Sequence, residues 1–213
     1  MLFTGLLLAC GQFSPDAKES EPRWWTEEDR NHILNELDRT TEALRLELRD
    51  ISSEQWEFHE SRERWSIGEI VEHLEMQNQL HYREISIVMN APQPLHFRSI
   101  TEGQDDHFTK YASDPTPGKA RWFLEPIGRF CSKDAGENAF FRARGELRKL
   151  VASTHVDLRK QFTFRAPAIS HTSSPLSLGE VRDLHQLLLT GVAHTDRHLK
   201  QIRNIKKDER FPK

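Results

Sequence analysis

The chain has 213 residues, of which 36% are hydrophobic and 30% are charged, and its formal charge at pH 7 is -3. This composition supports one modest core with a heavily solvated surface, and it lacks the basic field that sequence-independent nucleic-acid binding needs. The two cysteines are too few for a disulfide framework, and their spacing excludes a thiolate zinc site. We therefore expect no nucleic-acid partner.

The first ten residues are apolar and end in Leu-Leu-Ala-Cys10. The run is too short to span a bilayer, which takes about 20 residues, but a small residue before a cysteine is typical of a bacterial lipoprotein signal, whose cysteine is lipidated. A polar stretch rich in Ser and Pro follows. The sequence predicts a signal remnant (1–10), lipid attachment at Cys10 and a tether (11–23). The protein would then be an envelope lipoprotein that meets the membrane through this lipid only. Because no Lys or Arg precedes the apolar run, a cytoplasmic protein with a frayed N-terminus is the alternative.

Two helices are predicted in the first half of the chain. The first runs from about Thr26 to Asp50, with apolar or small residues alternating three and four apart. The second opens with a capping box between Ser66 and Glu69 and continues to about Asn90.

Two further helices are predicted in the second half. The third spans about Glu137 to Lys160. The fourth repeats the opening of the second, with Ser177 and Glu180 as its capping box, and runs to about Ile205.

The long connection Ala91–Gly136 is rich in proline. A structureless loop of this length is uncommon in a compact domain, so we expect short helices near Gln104–Tyr111 and Lys119–Phe130. A long second connection also permits the second and third helices to run parallel. The sequence therefore predicts an all-α four-helix bundle over residues 24–206, followed by a short tail over 207–213.

His194 and His198 lie four residues apart on the apolar stripe of the fourth helix, which is the spacing of a two-histidine metal clamp. An isolated pair of this kind is also typical of surface or hydrogen-bonded histidines. His73 lies two turns into the second helix and borders its apolar stripe. Two ligands on one helix and a third on its neighbour would leave open positions on a divalent ion, as reactive metal sites do.

These motifs resemble the DinB/YfiT-like superfamily. The resemblance rests on Trp65-Ser-x-x-Glu-x-x-x-His73-Leu on the second helix and His194-x-x-x-His198-x-x-Gln201 on the last. It implies an up-down-down-up bundle and a zinc, nickel or iron ion on His73, His194 and His198. It also implies the transfer of a small thiol such as bacillithiol, mycothiol or glutathione, which several members carry out.

The function predicted from the sequence is a metal-dependent hydrolase or transferase with a small-molecule substrate. Three neutral imidazoles leave the ion's charge to activate a water or a thiol. The alternative is a non-catalytic metal-binding or stress-related envelope protein. A homodimer is compatible with either function.

Several other polar residues are weaker candidates for a role at the metal site. Gln77 and Gln201 could serve as partners of the ligating imidazoles or contact substrate, or they could be buried amides that satisfy backbone groups. We expect His81 and Glu84 at the surface, His185 as a capping or surface histidine, and Cys131 as a buried thiol. The remaining polar residues of the long connection are either loop residues or a cover for the metal: His96, Asp105, Asp106 and His107.

Overall fold

The structure is a computed structural model that describes residues 23–115, 120–165 and 180–213. Seven α-helices are described: α1 (Glu27–Leu48), α2 (Ser53–Glu57), α3 (Ile67–Val88), α4 (Arg98–Thr101), α5 (Asp105–Ser113), α6 (Lys133–Ser153) and α7 (Leu184–Ile205). Single 3-10 turns occupy Leu95–Phe97, Trp122–Leu124 and Leu158–Lys160. Two strands, β1 (Phe162–Arg165) and β2 (Glu180–Asp183), form an antiparallel pair. The chain is mostly helical, as the sequence pattern predicts.

The four long helices form the body of the molecule. Both α1 and α3 pack against α6 and α7, so α6 and α7 face each other across the bundle axis. α5 covers the outer side of α7. None of the helices in the three described ranges is long and apolar enough to cross a membrane.

Two apolar clusters fill the bundle, one at each end. The first cluster contains the last turns of α1 and α7 and the first turns of α3 and α6, with Leu48, Ile70, Phe140 and Ile202 among its members. The second cluster joins the first turns of α1 and α7 to the last turns of α3 and α6. Burial of these side chains supplies most of the stabilisation, at roughly 25 cal/mol per Å² of apolar surface.

The predicted capping boxes of the first two long helices are present. Thr26 and Asp29 cap α1, and Ser66 and Glu69 cap α3, each through reciprocal hydrogen bonds between side chain and backbone.

The predicted start of the fourth helix is wrong. Ser177 lies outside the described residues, and Glu180 belongs to β2, which pairs with β1. The helix begins later because Asp183 ends the strand and forms its own capping box with Gln186. The strand pairing satisfies the backbone groups that an earlier helix turn would have used.

The third long helix is also shorter than predicted. α6 ends at Ser153, and Thr154 is already extended. The guanidinium of Arg30 donates to the carbonyls of Val151, Ala152 and Thr154, and so satisfies the free acceptors of the helix end.

The long connection contains α4 and α5 as well as two 3-10 turns. α5 fits the predicted helix near Gln104–Tyr111. The predicted helix over Lys119–Phe130 is reduced to the turn Trp122–Leu124, because the backbone that follows bonds to a side chain instead. Gly128 has a φ of 74°, and the carboxylate of Glu72 accepts from the backbone N–H groups of residues 127–129.

Candidate metal centre

Three histidine side chains converge between α3 and α7. Nε2 of His194 lies 2.9 Å from Nε2 of His73 and 3.1 Å from Nε2 of His198. One ligand nitrogen from each of the three rings falls within 4.8 Å of the others. His73 and His198 are 3% and 4% exposed. The structure thus brings together the three residues that the sequence selects, and at about the 3–4 Å spacing expected of ligand nitrogens that share one ion.

The outer nitrogens of two rings are held by oxygen acceptors. Nδ1 of His73 donates to the carbonyl of Leu124 at 2.8 Å, and Nδ1 of His198 donates to Oε1 of Gln201 at 2.9 Å. Because these oxygens can only accept, the two neutral rings present Nε2 lone pairs toward His194. One N–H of His194 can satisfy only one of them. A cation at the convergence point would satisfy all three rings, so the donor set fits a metal ion.

Two neighbouring side chains, those of Trp65 and Glu72, keep the rings in place. The ring of Trp65 is stacked on His198, with centroids 6.2 Å apart, and lies 4.9 Å from His73. The buried carboxylate of Glu72, the residue before His73, clamps the segment after Leu124 through backbone N–H groups and Nε of Arg129. This clamp positions the Leu124 carbonyl at the edge of the His73 ring, where it accepts from Nδ1.

The site favours neutral imidazoles. Burial lowers the pKa of His198 to about 3, with smaller contributions from the charges of His73 and Arg197. Burial also lowers the pKa of His73 and brings the pKa of His194 well below its ordinary value, where the neighbouring rings add to the effect. Neutral imidazole is the form that binds a metal, so no proton must leave before binding at neutral pH.

Of the two glutamines predicted to be partners of the ligating imidazoles, one contacts a ligating histidine and the other does not. Gln201 contacts His198, as expected of a residue that orients a ligand. Gln77 instead lies with its Nε2 3.3 Å from Nε2 of His81. The polar residues of the long connection do not close over the histidines: His96 is exposed, His107 pairs with Glu180, and Asp105 bonds to Arg159 and Gln186.

Several burial predictions are wrong. His81 is buried on α3, against Gly191 of α7. His185 is buried, and its Nδ1 accepts from Nε1 of Trp25. Glu84 is half-buried and accepts from the hydroxyl of Thr163. Cys131 is exposed rather than buried, and Cys10 lies outside the described residues.

Sequence reasoning missed Glu72 and the carbonyl of Leu124. A glutamate on a helix is ordinarily assigned to a solvated face, and a backbone carbonyl carries no residue-specific signal. The position of Glu72 directly before His73 is the only sequence signal that could have suggested it.

A cleft of about 550 Å³ lies elsewhere, between α1, α5 and α7. Asp29, Asp105 and Asp196 are among its acidic lining residues, and none of the three converging histidines contributes to it. The metal-binding geometry is therefore separate from this cleft. We assign the chemistry to the histidines because, among the described residues, only they form a convergent ligand set.

The family model of the DinB superfamily matches residues 36–202, which include all three histidines. The chain belongs to the DinB superfamily. Among solved structures, this DinB chain is similar to YfiT from Bacillus subtilis, with a TM-score of 0.57 and 13% identity, over 88% of this chain and 91% of that one. YfiT is described as a probable metal-dependent hydrolase with an unusual four-helix bundle topology. No curated protein matches the DinB chain.

Proposed function

We propose that this DinB protein is a metal-dependent hydrolase or transferase that acts on a small molecule. The observation that carries the proposal is the convergence of three Nε2 atoms from two helices, with two of the outer nitrogens held by oxygen acceptors. The described function of YfiT supports the hydrolase form. A small thiol is the nucleophile or cosubstrate in the transferase form.

The protein's own residues prepare the site. A divalent ion, zinc, nickel or iron, would act there as a Lewis acid on a group in its open positions. Leu124 and Gln201 fix the tautomers of His73 and His198, which keeps their Nε2 lone pairs directed inward. Trp65 covers two of the rings and limits access of water from the first cluster.

The burial of the histidines favours a second candidate. His73 and His198 are almost fully covered, which also suits a protein that holds the ion without turnover. An activity screen on metal-loaded protein against ester, amide and thiol-transfer substrates separates the two. Turnover that disappears in His194→Ala would establish the enzyme, and metal content without turnover would favour the non-catalytic protein.

Metal content tests the site directly. The protein is purified without a histidine tag and its metals are quantified in the wild type and in His73→Ala, His194→Ala and His198→Ala. We expect about one ion per chain in the wild type and a large loss in each variant. His155→Ala changes an exposed histidine and serves as the matched control. Wild-type metal content in all three variants would place the site elsewhere.

We infer further that the four long helices run up-down-down-up. The composition of the two apolar clusters supports this, because each joins opposite ends of α1 and α3 but the same ends of α3 and α6. Helices α3 and α6 would then be parallel, as the long connection permits. Residues 24–206 as one domain and a homodimeric assembly remain proposals, which limited proteolysis and sedimentation would test.

The location of the protein remains a proposal based on the sequence. Lipidation of Cys10 would hold the bundle at the cell envelope through a polar tether. Fractionation of wild type against Cys10→Ser decides this: the wild type should pellet with membranes and the variant should not. Equal amounts of both proteins in the soluble fraction would favour a cytoplasmic protein.

A further inference from the structure

A layer of buried polar side chains separates the two apolar clusters near the middle of the bundle. Each long helix contributes a member that lies about one turn from a residue of a cluster. The members are Thr40 on α1, Asn78 on α3, Arg144 on α6 and Thr195 on α7. The two threonine hydroxyls donate to carbonyls of their own helices. The side chains of Asn78 and Arg144 each keep one N–H group without a hydrogen-bond partner among the described residues.

Arg144 crosses the layer from α6 to the opposite helix. Its Nη2 donates to the hydroxyl of Thr195 at 2.8 Å, and the residue is only 3% exposed. Its Nε has no hydrogen-bond partner, and no carboxylate among the described residues forms an ion pair with it. The charge of Asp196 acts to raise the pKa of Arg144, but the Asp196 carboxylate is itself paired with Arg39.

The guanidinium stays charged despite its burial. Burial lowers the pKa of Arg144 to about 10, which leaves the group protonated at neutral pH. Its charge is also felt by His81, whose pKa is lowered to about 3 by burial first and then by Arg182 and Arg144. Arg182 and Arg144 therefore place positive charge near His81.

Asn78 supplies a second unused donor. The residue is 4% exposed, and its Nδ2 has no partner in the part of the chain that the structure describes. Asn78 lies one turn after Leu74 and Arg144 lies one turn after Phe140, and Leu74 and Phe140 both belong to the first cluster. The two side chains therefore occupy the same level of the neighbouring helices α3 and α6.

A buried charge without a counter-charge destabilises a fold, and so does an unsatisfied buried donor. An anion would satisfy both, since the Nε edge of a guanidinium is the edge that binds a carboxylate through two hydrogen bonds. We propose that Arg144 and Asn78 form a binding site for a small anionic group, a carboxylate or a phosphate.

The site lies beside the histidines. Thr195, which bonds to Arg144, is the residue that follows His194, so one turn of α7 presents the metal centre to α3 and the anion site to α6. If the protein has the proposed function, its substrate is an anionic small molecule whose charged end is held by Arg144 and Asn78. This role rests on the proposed function, whereas anion binding itself does not.

Anion binding is tested on chelator-treated protein, so that no ion competes for the probes. Acetate, succinate and inorganic phosphate are titrated calorimetrically at constant ionic strength. We expect saturable binding at one site per chain, weakened about 10-fold or more in Arg144→Gln. Arg142→Gln changes an exposed arginine of the same helix and should bind as the wild type does. The carboxylate and phosphate arms identify the preferred group.

Two further variants test the site in case Arg144→Gln fails to fold. Asn78→Leu should weaken the same probe, and Arg144→Met should raise the Tm of the anion-free protein because it removes a bare buried charge. No saturable binding of any probe, or equal binding by wild type and Arg144→Gln, would overturn the proposal. His198→Ala separates the two proposals. If His198→Ala loses the metal but still binds the anion, the two sites are independent and the anion site is supported. If the wild type binds metal but no anion, only the anion site is refuted.

Discussion

Nε1 of Trp56 lies 2.5 Å from the position that a Cβ would occupy at Gly68. On the other side of the same indole, Cζ2 lies 2.7 Å from the Cβ position of Gly136. The two glycines lie in the first turns of α3 and α6, so the ring is inserted where both helices lack side chains. The absence of two Cβ atoms therefore lets α2 close the end of the bundle.

Gly68→Ala should lower the free energy of unfolding by about 1–3 kcal/mol, because the added Cβ would force the buried Trp56 indole to shift. Gly145→Ala is the control, since a Cβ there meets nothing within 4 Å. It should raise stability by about 0.5–1 kcal/mol through helix propensity. Urea denaturation of both variants measures the difference, and a stabilised Gly68→Ala would contradict the packing described for Trp56.

Glu72→Gln should loosen the segment that covers His73. An amide nitrogen cannot accept from the backbone N–H groups of residues 127–129, so we expect a loss of about 1–3 kcal/mol in stability. Metal affinity should fall about 10-fold because the Leu124 carbonyl is displaced. Chemical denaturation and competition with a chelator measure the two effects. Glu146→Gln, at an exposed position of α6, should change neither.

Gln201→Ala should weaken metal binding by roughly 10–100-fold, since His198 loses the acceptor that orients it. Gln201→Glu should retain or strengthen binding, because a carboxylate accepts the same Nδ1–H and makes the ring a better ligand. Asn204→Ala, one turn away and exposed, is the control. Equal affinity in Gln201→Ala and the wild type would mean that the contact with His198 has no influence on the metal.

His81 should make the protein sensitive to acid. Its pKa is lowered to about 3 in the folded chain, whereas the unfolded chain takes up this proton near pH 6.5. The stability it contributes is fully present above about pH 6.5 and is lost as the pH falls toward 3, at up to about 1.4 kcal/mol per pH unit. His81→Asn should reduce that slope, measured by urea unfolding between about pH 7 and pH 5. His155→Asn should leave it unchanged.

The helical period was enough to find the candidate ligands. His194 and His198 lie on the stripe that also carries the core residues of α7, and the capping box at Ser66 fixes where His73 falls on α3. These inferences depend on contacts within one helix. The start of α7 was mispredicted because it depends on a contact between distant segments, the pairing of β2 with β1.

Burial on α3 was harder to predict for a related reason. An apolar stripe reports one covered face, but α3 is contacted by α2, α6, α7, β1 and the Trp122–Leu124 turn. Glu72, Asn78 and His81 are therefore buried although they lie beside or behind the stripe. Which segments return to cover a helix is a property of the whole chain and not of a local pattern.

The stacking of Trp65 on His198 should make tryptophan fluorescence sensitive to the ion bound at the histidines. Indole emission depends on the electronic state of nearby groups. An open-shell ion such as nickel or iron quenches this emission, whereas zinc does not. The ring planes of Trp65 and His198 are 17° apart, which favours this coupling. A Trp65→Phe variant would remove the contribution of this one residue among the five tryptophans, so loading with different metals could be followed by fluorescence without an added dye.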